Sequence, residues 1–349
     1  MYKKIMALLL CLTFLTLVGC KTLGDVSSSA PEESKPVNKE PEIIYYTNEL
    51  TGEKNITDKD VVSYRPVAIM INNISIAQPV QTGLSKADIV YETEVEGGIT
   101  RLMAVYKDIS KVEKVGTVRS ARYPYIDLSM GHDAIYIHHG QDPNYARPHL
   151  NDTARLALDT NNAGVRIRNE GLASEHTLYG RGEKIWEWLN KKNYKTTISD
   201  NENWQKFADK DTQITYTELA NTVTVPFSKQ YTSVFKFDSE SGKYVRYFRN
   251  TERKDYYTGE NEKFKNVFVL ETSITYYPDG KHKRVDLTKG EGYYCVNGTY
   301  TPIKWVKGGA SSGLKFTTAD GLPLEVNQGN SWVCFHGKLT RPPLSHKKL

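Results

Sequence analysis

The segment Arg119-Ser120-Ala121-Arg122 places two arginines three positions apart. Guanidinium groups bind carboxylates and phosphates through paired hydrogen bonds, so this spacing suits recognition of an anion. The segment is predicted to open a helix that runs toward Met130, with Pro124 in its first turn. Residues three apart share one helical face, and amides at a helix start add to anion binding. The alternative is internal pairing of the arginines with Asp127, Asp133 or the acidic row Glu92, Glu94 and Glu96.

A second candidate is His138-His139-Gly140-Gln141-Asp142, at the carboxyl end of a predicted buried strand. Open α/β sheets bind ligands at that end of their strands. Neighbouring strand residues point to opposite faces, so only one of the two histidines enters a given site. Either a polar binding or catalytic role, or a packed and hydrogen-bonded one, fits this segment. A metal would need added ligands such as Asp142, His132 or His176, and the spacing matches no zinc motif.

A third candidate, Ser174-Glu175-His176-Thr177, puts a histidine beside a carboxylate. Such a histidine can act as a general base near neutral pH, although a lone loop histidine is more often structural. No metal and no cofactor is predicted. The predicted binding residues are Arg119, Ser120, Arg122, His138, His139, Asp142 and His176, supported by Glu92 and Arg101.

Two catalytic patterns occur in the wrong context. Gly309-Ala310-Ser311-Ser312-Gly313 matches G-x-S-x-G, but a predicted strand follows where that chemistry needs a helix. Ser233-Val234-Phe235-Lys236 matches S-x-x-K, but on a strand the serine and the lysine face opposite sides. The motifs therefore do not supply a complete catalytic set.

The segments that position these residues change character along the chain. Val67–Ile71 is predicted to be a strand buried on both faces, and residues 88–106 a hairpin that turns at Gly97-Gly98 with Glu94 opposite Arg101. Arg181–Asn190 has helical spacing. From about residue 221, glycine turns such as Asn297-Gly298 separate alternating strands. The sequence predicts an α+β protein, with a mixed α/β layered domain over 42–217 and a mainly antiparallel β domain over 218–338.

The aromatic side chains of the second domain admit two interpretations. They could form a face that binds carbohydrate or protein, or they could be core and cross-strand pairs. The residues in question are Tyr244, Tyr247, Tyr256, Tyr257, Tyr276, Tyr277, Tyr293, Tyr294, Trp305 and Trp332.

The first nineteen residues have the pattern of a secretory signal. Lys3 and Lys4 precede a short apolar run that ends in Leu17-Val18-Gly19-Cys20, which resembles the lipobox of bacterial lipoproteins. Cys20 is the predicted lipidation site, and two acyl chains would give stable attachment to the outer face of the cell membrane. Residues 20–41 are polar and predicted to be a flexible tether, and 339–349 a basic, frayed tail.

Two cysteines remain in the body of the chain, Cys295 and Cys334. An even pair outside the cytoplasm predicts one disulfide. The alternative is two buried thiols that behave as small apolar residues.

The composition excludes several classes of protein. The chain has 349 residues and a formal net charge of +5, with 39% apolar and 11% aromatic residues. A disordered chain would be poorer in aromatics, and a nucleic-acid binder would usually have a larger basic excess. No nucleic-acid partner is therefore predicted. A lysine-rich chain with few cysteines points to a Gram-positive source.

Several motifs together resemble the YerB-type family of bacterial lipoproteins. They are Arg65–Asn73, Gly83–Glu92, Glu96–Arg101, Val115–Arg122, Pro302–Trp305, and Asp320–Leu324 through Trp332. The resemblance covers most of the chain and implies two domains and a surface lipoprotein. It implies no particular reaction, and the loop Lys307–Gly313 departs from the family pattern.

Two functions follow from these features. The first is a membrane-anchored extracytoplasmic lipoprotein that binds an anionic wall polymer or a membrane-protein partner. The rival is an envelope hydrolase or transferase acting on a glycan or phosphodiester, with His138 or His139 as base and Arg119 and Arg122 as anion clamp. The rival requires these groups to converge on one substrate position.

Overall fold

The structure is a computed structural model that describes residues 43–153, 158–159, 164–166, 171–198, 204–338 and 344–345. The predicted signal peptide, the tether, Cys20 and most of the C-terminal tail lie outside these residues. The helices are α1 (Tyr123–Met130), α2 (Ala146–Thr153) and α3 (Gly182–Lys191). Among the described residues, no helix has the length and apolar character needed to cross a membrane.

Within the described residues, twenty-six strands make up most of the regular structure. In chain order they are β1 (Tyr46–Thr47), β2 (Lys54–Ile56), β3 (Val67–Asn72), β4 (Ile89–Glu94), β5 (Thr100–Tyr106), β6 (Val115–Gly116), β7 (Ile135–His138), β8 (Leu158–Asp159), β9 (Gly164–Arg166), β10 (Leu178–Gly180), β11 (Lys206–Phe207), β12 (Glu218–Leu219), β13 (Thr222–Pro226), β14 (Thr232–Asp238), β15 (Lys243–Phe248), β16 (Thr251–Glu252), β17 (Lys263–Phe264), β18 (Asn266–Thr272), β19 (Ile274–Tyr276), β20 (Lys283–Val285), β21 (Lys289–Val296), β22 (Thr299–Val306), β23 (Lys315–Thr318), β24 (Glu325–Val326), β25 (Ser331–Gly337) and β26 (Leu344–Ser345).

One mixed sheet of eleven strands joins the two halves of the chain. Its order is β12-β22-β21-β18-β25-β4-β5-β3-β7-β8, with β23 beside β22. The junction is the parallel pair of β25 and β4, in which Ser331 lies opposite Ile89 and Phe335 opposite Thr93. Strands from both predicted domains therefore share one hydrogen-bonded sheet.

The central sheet is covered on both faces, which explains why β3 is buried along its whole length. One face packs against α3 and a second sheet of β13 to β17 and β26, through residues that include Val90, Val267 and Phe235. The opposite face packs against α1 through Tyr125 and Leu128. The sequence predicted more helix than this: the fold is mainly β, with few helices.

Two local predictions require correction. Helix α1 begins at Tyr123, with Arg122 as its extended N-cap, so Arg119 and Arg122 do not share a helical face. The hairpin of β4 and β5 turns through residues 95–99, so Arg101 lies opposite Thr93 and not Glu94. Gly97 and Gly98 both have positive φ in this turn, and the Val95 amide donates a hydrogen bond to the Ile99 carbonyl oxygen across it.

The structure has no disulfide between Cys295 and Cys334, and both are free, buried thiols. Cys295 on β21 pairs with Val267, and Cys334 on β25 pairs with Val269, both of the intervening strand β18. Two strand spacings separate the cysteine backbones by roughly 10 Å, beyond the roughly 7 Å that a disulfide can bridge. The prediction of a disulfide is therefore wrong, and the buried-thiol alternative describes both residues.

We expect both thiols to resist alkylation in the native protein. Burial raises the pKa of Cys295 and of Cys334 far above the range of a reactive thiol. Peptide mass spectrometry after brief iodoacetamide treatment should find both unlabelled in buffer and both labelled in concentrated urea. A peptide cross-linked between Cys295 and Cys334 under non-reducing conditions would contradict the structure.

Candidate functional site

A cleft of about 790 Å³ opens between α1, the start of α2 and the hairpin of β19 and β20, and the loop 307–310 completes its lining. The helices come from the first half of the chain, and the hairpin and the loop come from the second. Clefts of this volume lie within the usual range for small-molecule sites.

The β19–β20 hairpin presents one polar face to the cleft. Ser273, Thr275 and Tyr277 follow at every second position, as the two-residue period of a strand requires, and all three line the cleft. Arg284 is the cross-strand partner of Thr275 and lines the cleft beside it. The local alternation therefore places three hydroxyl groups and one guanidinium on the same wall.

Tyrosine rings from both walls meet in the cleft. Tyr145 and Tyr277 are stacked, with ring centroids 3.7 Å apart. Tyr123 at the start of α1 stacks on His149 of α2 at 4.3 Å and meets Tyr277 edge-on at 6.4 Å. The three tyrosines are partly buried, so each ring combines a packed surface with a solvent-facing one. Rings with an apolar face and a polar hydroxyl suit ligands that carry both kinds of surface.

A carboxylate and a histidine form a close pair on the helical wall. His149 Nε2 lies 2.5 Å from Asp127 Oδ1, and both side chains are mostly buried. The carboxylate orients the imidazole ring, which is how a histidine is usually held for proton exchange or for binding.

Lys307 lines the cleft from the loop that follows β22. Its Nζ donates hydrogen bonds to the carbonyl oxygens of Gly309 and Ala310 and so ties the loop to itself. Burial lowers the pKa of Lys307 to about 8, although the nearby charge of Asp127 opposes this shift. The ammonium group of Lys307 therefore loses its proton more readily than that of a surface lysine.

A narrow extension continues from the cleft. It shares Tyr123, Tyr145 and Tyr277 with the cleft and adds Arg122, Asp142 and His282. His282 links the hairpin to the helical wall, since Nδ1 lies 2.6 Å from Asp279 and Nε2 3.4 Å from Asp142.

The predicted residue Arg122 is engaged within the protein. Its Nε donates to Glu96 Oε2 at 2.8 Å, and a second guanidinium nitrogen reaches Oε1. Arg101 bonds the same carboxylate at 3.2 Å and the carbonyl oxygen of Ser120. Of the alternatives left by the sequence, internal pairing with the acidic row is the arrangement observed for Arg122.

Arg119 reaches a different carboxylate. It bonds Glu175 Oε2 at 2.9 Å in a pair that is partly exposed. Glu175 Oε1 lies 3.4 Å from His176 Nε2, and His176 Nδ1 lies 3.0 Å from the side-chain amide of Asn72. The first and third predicted segments therefore meet through this chain of contacts.

The first and second predicted segments run side by side. The Ala121 amide donates to the Gly140 carbonyl at 2.9 Å, and the His139 amide donates to the Arg119 carbonyl at 3.1 Å. His138 is buried, with Nδ1 2.7 Å from the Gly140 carbonyl oxygen. The backbone hydrogen bonds bring the two segments together. The contact with the Gly140 carbonyl oxygen holds the His138 ring in the local turn.

The side chain of Asp142 binds the backbone at the start of α2. Its carboxylate accepts hydrogen bonds from the backbone amides of Asn144, Tyr145 and Ala146. Burial opposes ionisation of this group, but the three amides outweigh burial and lower the pKa of Asp142. By fixing Tyr145, Asp142 helps to shape the cleft, which is a positioning role.

Glu92 lies in the core and not in an accessible site. It is 1% exposed and accepts hydrogen bonds from Asn73, Thr100, Ser233 and Trp332. The second sheet therefore covers the face of β4 on which Glu92 lies and places this predicted binding residue in the core.

Sequence reasoning missed most of the cleft residues. In the sequence, Asp127 stands out only as a possible partner for arginine, and Tyr277 only as one of many aromatics. His149, Arg284 and Lys307 carry no motif. Their convergence depends on contacts between residues 123–149 and 273–310, a separation over which local periodicity carries no information.

Comparison with known proteins identifies the class to which this fold belongs. A model described as "Protein of unknown function (DUF3048) N-terminal domain" matches residues 50–195, and the corresponding C-terminal domain model matches 223–333. The two models together cover most of the chain, and the chain belongs to this family.

The chain is similar to a protein of Bacillus subtilis (strain 168) named "Putative lipoprotein YerB". The two are 29% identical over 330 residues, which span 93% of this chain and 92% of the relative. The crystal structure of YerB protein from Bacillus subtilis has a TM-score of 0.71 to this chain at 28% identity, covering 84% of this chain and 97% of that one. The resemblance found in the motifs to a two-domain YerB-type family is confirmed.

Proposed function

We propose that this chain is a lipid-anchored extracytoplasmic protein that binds a cell-envelope polymer, with a segment of that polymer lying in the cleft. The anchor is supported by the lipobox-like sequence ending at Cys20 and by the printed name of the Bacillus relative. The polar segment 20–41 would let the binding body reach away from the outer face of a Gram-positive membrane.

The observation that carries the binding proposal is the composition of the cleft wall. Stacked tyrosines supply flat surfaces for sugar rings, and Ser273, Thr275 and Asn144 supply hydrogen-bonding groups around them. A small number of polar groups on an aromatic surface is the usual design of a site for a ligand with both apolar and polar faces. Sugar rings of wall polymers have that character.

The structure also changes which residues we assign to binding. Arg119 and Arg122 were the predicted anion clamp, but each already bonds a carboxylate of the protein. Arg122 borders the narrow extension of the cleft, so its contribution would be to the rim of the site. We assign the main contact surface to Tyr123, Tyr145 and Tyr277.

Replacing Tyr277 by alanine is expected to weaken binding to purified cell-wall fragments by about tenfold or more, because it removes an aromatic group at the centre of the site. The full-length protein in mild detergent would be titrated in a co-sedimentation assay. Tyr256→Ala is the matched control, since Tyr256 is 56% exposed and lies outside the cleft.

Circular dichroism must show that both variants are folded. Equal binding by wild type and Tyr277→Ala would remove the cleft from consideration. Failure of the wild-type protein to bind wall fragments, with capture of a membrane protein instead, would favour the partner-binding function over polymer binding.

A further inference from the structure

We propose that the cleft recognises a glycan that carries an acidic group, a carboxylate or a phosphate ester, and that Arg284 binds this group. The inference rests on the proposed function and specifies the class of polymer.

Arg284 differs from the other arginines near the cleft. Arg122 and Arg101 share Glu96, and Arg119 has Glu175. Arg284 lines the cleft, and within the part of the chain that the structure describes no hydrogen bond or ion pair engages its guanidinium. A guanidinium offers five donors in a planar fork that matches a carboxylate or a phosphate.

The surroundings of Arg284 fit an anionic group at this position. Its charge acts on the hydroxyls of Tyr123 and Tyr277, whose pKa values burial raises and Arg284 moderates. Arg284 also lines the same cleft as these tyrosines and lies opposite Thr275 on the hairpin that leads into Tyr277. An acidic substituent held by Arg284 would then sit beside a ring lying against them.

The two carboxylates of the cleft are already engaged as acceptors. Asp127 is held by His149. Asp286 accepts hydrogen bonds from the amide and the hydroxyl of Thr288, and these bonds, with a smaller effect from the charge of Arg284, lower the pKa of Asp286. A cationic ligand would have to compete with these bonds, whereas an anionic ligand meets Arg284 with its donors available. The observations therefore favour an anion.

The balance of charge limits the kind of anion. The cleft lining has two side chains that are cationic at neutral pH, Arg284 and Lys307, and two carboxylates, Asp127 and Asp286. The formal charge is zero with His149 neutral, so the cleft does not attract anions strongly from a distance. This favours a mostly neutral glycan with separated acidic groups over a dense polyanion.

The test uses three ligands, two of which form a matched pair, and a matched pair of variants. The ligands are a hexasaccharide that alternates N-acetylglucosamine with glucuronate, its carboxyl methyl ester, and N-acetylglucosamine 1-phosphate. The variants are Arg284→Gln and Lys281→Gln, since Lys281 is an exposed cation on the same hairpin but outside the cleft. Calorimetric titration of the full-length protein in detergent would measure the affinities.

We expect the wild type to bind the acidic hexasaccharide about tenfold or more tightly than its ester, as one charge-assisted fork of hydrogen bonds implies. Arg284→Gln should reduce that preference to less than about twofold, and Lys281→Gln should behave as wild type. Tight binding of the sugar phosphate alone, lost in Arg284→Gln, would support the site and identify phosphate as the source.

Equal affinity for the acidic hexasaccharide and the ester would overturn the acidic-group inference while leaving glycan binding intact. A preference that survives in Arg284→Gln would also overturn it. If neither sugar nor purified wall fragments bound, the proposed function would fail together with the inference.

Discussion

Replacing Arg246 by alanine is expected to lower the free energy of unfolding by about 3–5 kcal/mol, because it leaves a buried carboxylate without its counterion. Arg246 is fully buried, and its guanidinium bonds Glu262 Oε2 at 2.8 Å and the side-chain oxygen of Asn73 at 3.3 Å. It also lies over the ring of Trp332 at 4.5 Å. The same change leaves a cavity between the two sheets.

Urea denaturation followed by circular dichroism would measure this loss. Arg249→Ala is the control, because Arg249 is exposed and close by in the sequence. A double variant, Arg246→Met with Glu262→Leu, should recover much of the stability, since it removes both charges together. A loss below about 1 kcal/mol in Arg246→Ala would show that the pair contributes little.

Replacing Glu96 by glutamine is expected to cost about 3 kcal/mol at pH 7. Burial disfavours the charged carboxylate, but the hydrogen bond from Arg122 and the charges of Arg101 and Arg122 outweigh burial and lower the pKa of Glu96 to about 2 from an ordinary 4.5. Between pH 4.5 and about 2, the Glu96 carboxylate binds a proton more readily in the unfolded chain than in the native protein. The stabilisation by Glu96 is therefore complete above pH 4.5 and is lost as the pH falls toward 2.

Unfolding free energies of wild type and Glu96→Gln at pH 7, 4 and 2.5 would test this assignment. The difference between the two proteins should be largest at pH 7 and should shrink at each lower pH. Glu240→Gln is the control, because Glu240 is exposed and forms no ion pair among the residues that the structure describes. A difference near zero at pH 7 would mean that Arg122 is not held by Glu96, and the original view of Arg122 as an anion clamp would regain support.

A structural cause explains why Arg119 and Arg122 do not form the main anion-binding site. The sequence shows two cations with anion-binding spacing, and that spacing is equally suited to binding carboxylates of the protein. Glu96 lies in the turn after β4, and the pairing of β4 with β5 brings this turn next to Arg101 and the segment that leads into α1. The position of that turn therefore determines that Arg122 binds a carboxylate of the protein and not an external anion.

Local features of the fold were accessible from the sequence because they depend on neighbouring residues. Asn297 and Gly298 both have positive φ, as the predicted two-residue hairpin turn requires, and Val296 lies opposite Thr299. The apolar run of β3 is buried along its length, and the helical spacing of residues 181–190 forms α3. Turn geometry and the spacing of apolar residues each depend on only a few consecutive positions.

The sequence by itself therefore determined the buried strand β3, the hairpin turn at Asn297-Gly298, helix α3, the family and the segments that carry polar chemistry. The tertiary structure alone decided that β25 pairs with β4. Trp332 of β25 donates a hydrogen bond to Glu92 of β4, which lies 240 positions earlier in the chain. The tertiary structure also decided that Cys295 and Cys334 are held apart by β18, and that Arg284 and Tyr123 line the same cleft. The physical reason is that strand order is set by the joint burial of distant apolar faces, which no local pattern encodes.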